Sequence, residues 1–200
     1  WTSTPKDHDR LADVLLQTAT GLQEAHKTRF TDINGMPREG IVHGYIKSRK
    51  ILFTTEGVPK LIDFLFTDLS RSQNIKLQLP ESVKYMMRRE KPQDYTAPEI
   101  LRGESGVSKL GDIYALGAVF FTAVTGKSIA DFHFQSDDEL HRFVKKTDWL
   151  FPKYLSKLIF EATHPDPTKR TQDVGTLINE VLRPAGPIKK AAYWIRNIFT

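Results

Sequence analysis

Gly40-Ile41-Val42-His43-Gly44-Tyr45-Ile46-Lys47-Ser48-Arg49-Lys50-Ile51-Leu52 is the stretch on which the reading of this chain turns. It opens on a β-like run over 40–43 and closes on a second over Ile51–Phe53, with His43, Tyr45, Lys47 and Lys50 set around and between them. A third run, Pro59-Lys60-Leu61-Ile62-Asp63-Phe64, follows Thr54-Thr55-Glu56-Gly57-Val58, whose composition predicts a hairpin turn. Upstream, Leu11, Val14, Leu15, Thr18, Leu22 and Ala25 recur at three- and four-residue spacing, which predicts one amphipathic helix from Asp7 to Lys27. Thr31-Asp32-Ile33-Asn34-Gly35-Met36-Pro37-Arg38-Glu39-Gly40 reads as a turn-rich loop between that helix and the opening stretch.

Downstream, residues 65–96 show no sustained period and read as a long ordered loop. From Gly111 to Val124 the chain is apolar nearly all round, which predicts a central buried helix. Amphipathic helices are predicted over 137–146, 152–163 and 171–182, with Pro165-Asp166-Pro167 breaking the chain between the last two. Residues 1–183 form the expected domain. Residues 184–200 form a Pro/Gly linker and a short basic-aromatic helix.

Composition sets outer limits. The chain has 200 residues, 29 Lys+Arg against 24 Asp+Glu, a net charge of +5 and no cysteine. That length buries a core without covalent staples. The missing cysteine excludes disulfides, thiolate metal sites and a thiol nucleophile, and it fits a cytoplasmic setting. So small a charge excess argues against nucleic acid as a partner. No apolar run reaches the roughly eighteen residues that span a bilayer. The first residue is Trp1, not Met, so the chain reads as a piece of something longer.

The opening stretch is one of several landmarks in a fixed order. After it come Lys60-Leu61-Ile62-Asp63-Phe64, Tyr95-Thr96-Ala97-Pro98-Glu99 and Gly111-Asp112-Ile113-Tyr114-Ala115-Leu116-Gly117. Thr125-Gly126-Lys127 and His164-Pro165-Asp166-Pro167-Thr168-Lys169-Arg170 complete the series. In order and spacing the series resembles the C-terminal lobe of the eukaryotic-type Ser/Thr protein kinase superfamily. The implied fold is mainly α, a kinase C-lobe-like helical domain with a small β-hairpin, with the N-lobe absent.

The resemblance assigns two sets of positions. The structural set is intact: Glu99 is implied to pair with Arg170, Asp112 to accept backbone N–H bonds from the catalytic loop, and His43 and Phe64 to pack as spine residues. The chemical set departs. Tyr45 stands where the family carries the aspartate that deprotonates the substrate hydroxyl, and Gly44 replaces the arginine that reads a phosphorylated activation loop. Lys50 replaces the asparagine that ligates Mg²⁺, and an ammonium has no acceptor with which to hold a cation. Leu65 replaces the glycine of Asp-Phe-Gly. Lys47 and Asp63 match the family.

From these departures, and from the absence of a Gly-rich loop and strand lysine, the expectation is a pseudokinase: no enzyme, no cofactor, no bound metal, and nucleotide binding disfavoured. The expected role is a protein-binding or scaffolding module that uses the former activation segment and substrate groove. The alternative is a nucleotide-binding or atypical transferase domain whose N-lobe comes from other sequence or another chain. Lys50 could place its ammonium against Asp63 or could point to solvent. Lys84, Tyr85, Arg88 and Arg89 form a candidate partner surface. Lys189, Lys190, Trp194 and Arg196 suit weak peripheral membrane contact through 188–200.

Overall fold

The computed structural model describes residues 5–32, 34–64, 91–147 and 151–183. Helix α1, Pro5–Lys27, is followed by the antiparallel pair β1 (Arg29–Thr31) and β2 (Pro37–Glu39). A second antiparallel pair, β3 (Ile51–Phe53) and β4 (Pro59–Leu61), follows the loop that carries the candidate site. Then come α2 (Pro98–Leu101), α3 (Lys109–Thr125), α4 (Asp137–Thr147), α5 (Lys153–Ala162) and α6 (Val174–Leu182). The fold is mainly α with small two-stranded sheets, as the sequence pattern implies.

The core is built around α3. Its residues from Gly111 through Phe121 are all buried, the structural counterpart of an apolar sequence with no polar face. Its ends are well defined. Ser108 Oγ accepts from Gly111 N at 3.0 Å, and Gly126 closes the helix at φ +69°, a left-handed conformation that glycine adopts without a Cβ clash. Gly117 lets α5 approach: a methyl there would lie 2.8 Å from Thr163 Cγ2 and 2.9 Å from Ala162 Cβ. Around α3, helix α5 packs against α4 and α6, and α1 packs against α6 and β4. The α1 stripe buries Leu15, Leu16, Thr18, Ala19 and Leu22. Burying one such leucine contributes about 1.5–3 kcal/mol.

Two local readings are corrected by the structure. The segment 31–40 is largely a hairpin, not a loop: Asp32 Oδ1 accepts from Asn34 N and Met36 N, each at 2.9 Å, and Arg38 Nε donates to Asp32 Oδ2 at 2.8 Å. Its strands are exposed along their whole length, so no apolar alternation marks them. Conversely, residues 40–43 are not a strand. Their amides turn elsewhere: Gly40 N donates to Thr28 O, Ile41 N to Ala25 O, and His43 N to the Asp112 side chain. Among the described residues no helix is long and apolar enough to cross a membrane.

Candidate functional site

The site is assembled on the first turn of α3. Asp112 is 1% exposed, and its carboxylate is fully engaged. Oδ1 accepts from Gly44 N at 2.7 Å; Oδ2 accepts from His43 N at 2.8 Å and meets His26 Nε2 at 2.9 Å. A buried carboxylate requires such donors, because losing them leaves a charge in a low-dielectric setting. Gly44 sits at φ +69°, which turns successive amides toward one acceptor. Asp112 thus holds the backbone of His43 and Gly44 against the first turn of α3. His26 is a contributor that sequence reasoning missed. It lies four residues after Leu22 on the buried stripe of α1, and that register is the one signal that could have found it.

His43 ties the loop to the strand beside it. Its Nε2 lies 2.9 Å from Ile62 O and its Nδ1 lies 3.2 Å from Tyr45 N. This network assigns a neutral ring with the proton on Nε2, since Nδ1 must accept. Burial holds the imidazole below its usual value, against the opposing pull of the Asp112 charge. The ring packs against Phe64, with centroids 4.7 Å apart and the planes tilted.

Outward from this anchor the side chains change character. Lys47 is buried, its Nζ 2.8 Å from Tyr45 Oη and 4.1 Å from the ring centroid. Lys50 Nζ forms an ion pair with Asp63 Oδ2 and lies 5.8 Å from the Tyr45 ring. Of the two placements open to Lys50, the structure shows the one on Asp63. Asp63 itself takes φ +69°, an uncommon conformation for a residue with a Cβ. Leu65, Lys84, Tyr85, Arg88, Arg89 and the segment 188–200 lie outside the described residues.

A cavity of about 300 Å³ opens beside this loop, bordered by Tyr45, Lys47, Tyr95, Thr96 and Ile100 and floored by the start of α3. Tyr95, at its border, places its Oη 3.1 Å from Ser48 Oγ. Its lining is mixed: Ile46, Ala97, Ile100 and Ala115 are apolar, and Tyr45, Lys47, Tyr95 and Thr96 bring hydroxyl and ammonium groups.

Glu99 and Arg170 fix the far side. Arg170 NH1 and NH2 donate to the two Glu99 carboxylate oxygens at 2.7 and 2.9 Å. Arg170 also donates to His164 O at 3.1 Å and Leu110 O at 2.9 Å, and its guanidinium lies 5.2 Å from the Tyr114 ring centroid. Burial pushes the Glu99 carboxyl up, but the bonds from Arg170, a backbone hydrogen bond and the positive charges of Arg170 and Arg102 together hold Glu99 below its usual value. Burial also pushes the Tyr114 phenol up to about 12.

A kinase-like fold implies Mg²⁺ at Asp63. The residues present do not fit it. Lys50 brings an ammonium to the only carboxylate that the resemblance retains there, and an ammonium offers no lone pair. Among the described residues no group of three or more His, Cys, Asp or Glu side chains is placed to hold a metal ion.

The fold and this site define a class. The protein kinase domain family matches residues 3–185, and the chain belongs to that family. It is similar to protein kinase kin1 of Schizosaccharomyces pombe, 28% identical over 137 residues that cover 66% of this chain and 14% of that protein. It is also similar to cyclin-dependent kinase-like 2 of Rattus norvegicus, 32% identical over 155 residues, 74% of this chain and 28% of the relative. Serine/threonine-protein kinase PLK1 of Xenopus laevis is 26% identical over 182 residues, 87% of this chain and 26% of that protein. The chain therefore spans well under half the length of these relatives. The family match and the kinase names of the relatives overturn the expectation of a chain that is no enzyme. That expectation rested on the substitutions at Gly44, Tyr45, Lys50 and Leu65 and on the absence of a Gly-rich loop and strand lysine, whereas the family match extends over residues 3–185.

Proposed function

We propose that this chain is the C-terminal lobe of a protein kinase domain, and that it holds a hydroxyl-bearing protein segment in the cavity beside Tyr45. The observation that carries this reading is the cavity itself, set against a loop that Asp112 holds by two backbone N–H bonds. A rigid backbone next to a concave, mixed-polarity surface suits an extended peptide, whose apolar side chain takes the floor while its polar groups meet Tyr45 and Lys47. A phenol both donates and accepts, so Tyr45 orients a serine or threonine hydroxyl by hydrogen bonding, with Lys47 fixing the phenol in turn. The nucleotide-covering half of such a domain comes from sequence other than this chain.

Fluorescence anisotropy with labelled Ser/Thr peptide pools tests the reading. Thr96→Trp fills the cavity mouth from a partly exposed position and is expected to weaken binding at least about tenfold. Binding undiminished in T96W, with the chain folded by circular dichroism, would place the peptide elsewhere and reject the reading.

A further inference from the structure

Ser105 differs from the other described serines. The hydroxyls of Ser48, Ser108, Ser128, Ser136 and Ser156 each have a hydrogen-bond partner within the fold. Among the described residues the Ser105 hydroxyl has none, and the residue is exposed. Folding leaves this hydroxyl to solvent. We propose that Ser105 is a phosphorylation site for an arginine-directed Ser/Thr kinase acting from outside the chain, and that Arg102 then binds the phosphate.

The surroundings suit a kinase substrate. Ser105 lies in the loop between α2 and α3, and every residue from Leu101 to Gly106 is exposed. Gly103 takes φ +71°, and an added Cβ at Gly103 or at Gly106 would meet nothing within 4 Å. Space is therefore open on both sides of Ser105. Its own amide is held loosely, donating to Glu99 O at 3.3 Å. Drawing the segment into a substrate groove breaks few contacts, and the flanking glycines take up the change of backbone without a Cβ clash. Arg102, three residues before Ser105, supplies the positive charge that an acidic groove selects.

Arg102 also receives the product. Its fork now binds Glu104, with Nε donating to Oε1 at 2.6 Å and NH2 to Oε2 at 2.8 Å. The two side chains are 54% and 55% exposed, so water screens the pair and opening it costs little. A phosphate on Ser105 brings nearly two negative charges and three acceptor oxygens to the residue next to Glu104. It outcompetes a single carboxylate for the same fork. In the transfer, Ser105 Oγ bonds to the γ-phosphorus of ATP as the bond to the bridging oxygen breaks. ADP leaves, and the hydroxyl proton passes to the base of the acting kinase. Arg102, Glu104 and Ser105 do not border the cavity beside Tyr45, so this inference does not rest on the peptide reading.

The experiment incubates the full chain with ATP, Mg²⁺ and a recombinant Ser/Thr kinase that selects arginine three residues before its target. Mass spectrometry with fragmentation is expected to place phosphate on Ser105. Arg102→Ala, a change at an exposed side chain, is expected to slow that incorporation at least about tenfold. Phosphorus NMR then reads the product. The Ser105 phosphate of the wild-type chain is expected to titrate below its ordinary value of about 6, because Arg102 favours the dianion. In R102A, phosphorylated by longer incubation, it is expected to titrate higher than in the wild type. Circular dichroism confirms that each chain is folded. Absence of phosphate on Ser105 in the folded wild-type chain would overturn the inference. So would equal rates of incorporation in the wild type and R102A, or equal titration of the two phosphates.

Discussion

The loop from His43 to Lys50 is held at its two ends by different kinds of chemistry. At the inner end, His43 and Gly44 give their amides to a carboxylate that is 1% exposed and that also meets His26. At the outer end, Lys50 meets Asp63 where the carboxylate is 40% exposed. Of the side chains that make these contacts, His43 and Asp112 at the inner end keep the identities that the kinase resemblance implies, whereas at the outer end Asp63 keeps its identity and Lys50 does not. Burial accounts for the difference. An inner substitution strands a desolvated charge or amide, which costs several kcal/mol. An outer substitution is screened by water, so a change of charge there alters ligand chemistry at little cost in stability.

This contrast can be broken at its strongest point. Arg170→Ala leaves Glu99 buried without its bidentate partner and is expected to destabilise the chain by about 3–5 kcal/mol in urea unfolding. A loss below about 1 kcal/mol would mean that the inner network is not what fixes this lobe. Glu99→Gln with Arg170 retained is expected to cost less, since the amide still accepts one of the two bonds.

The next effect is smaller and depends on pH. His43 has a folded value below its unfolded value near 6.5. Its contribution is therefore complete above that pH and is lost as the pH falls through 6.5 toward the folded value, because the unfolded chain takes up the proton first. Between about pH 7 and about pH 5.5 the wild-type chain is expected to lose stability, at up to about 1.4 kcal/mol per pH unit from this residue. His141 is likewise held low, by burial and then by Lys145 and Lys153, and adds to the same slope. His43→Gln keeps the His141 part and should show a visibly shallower dependence. An unchanged slope would remove His43 from the anchor.

The smallest effect belongs to the outer end. Lys50→Met is expected to change stability by less than about 1 kcal/mol, the range for ion pairs open to water. A loss as large as that of Arg170→Ala would erase the distinction between the two ends.

The same distinction governs what the sequence makes legible. The long helix ending at Lys27 and the buried α3 are readable because apolar residues repeat with the helical period or fill it. The Glu99–Arg170 pair and the seat of Asp112 are readable only through the kinase resemblance, since partners 71 and 68 residues apart carry no local signal. The β1–β2 hairpin was hidden because both faces of its strands meet solvent and its turn is built from the Asp32 side chain. Residues 40–43 read as a strand because Ile41 and Val42 favour extended backbone, but the amides of Gly40, Ile41 and His43 are claimed by Thr28 O, Ala25 O and the Asp112 side chain. The placement of Lys50 lay beyond sequence reading, because solvent and Asp63 compete for an ammonium and only the fold decides how near the carboxylate stands.

The most direct test of the two-ended loop is a crystal structure of the chain grown with millimolar Mg²⁺. The account predicts that Lys50 Nζ remains within about 4 Å of the Asp63 carboxylate, with no magnesium between them and with the His43 and Gly44 amides on Asp112. A magnesium ion on Asp63 with Lys50 swung away would contradict it.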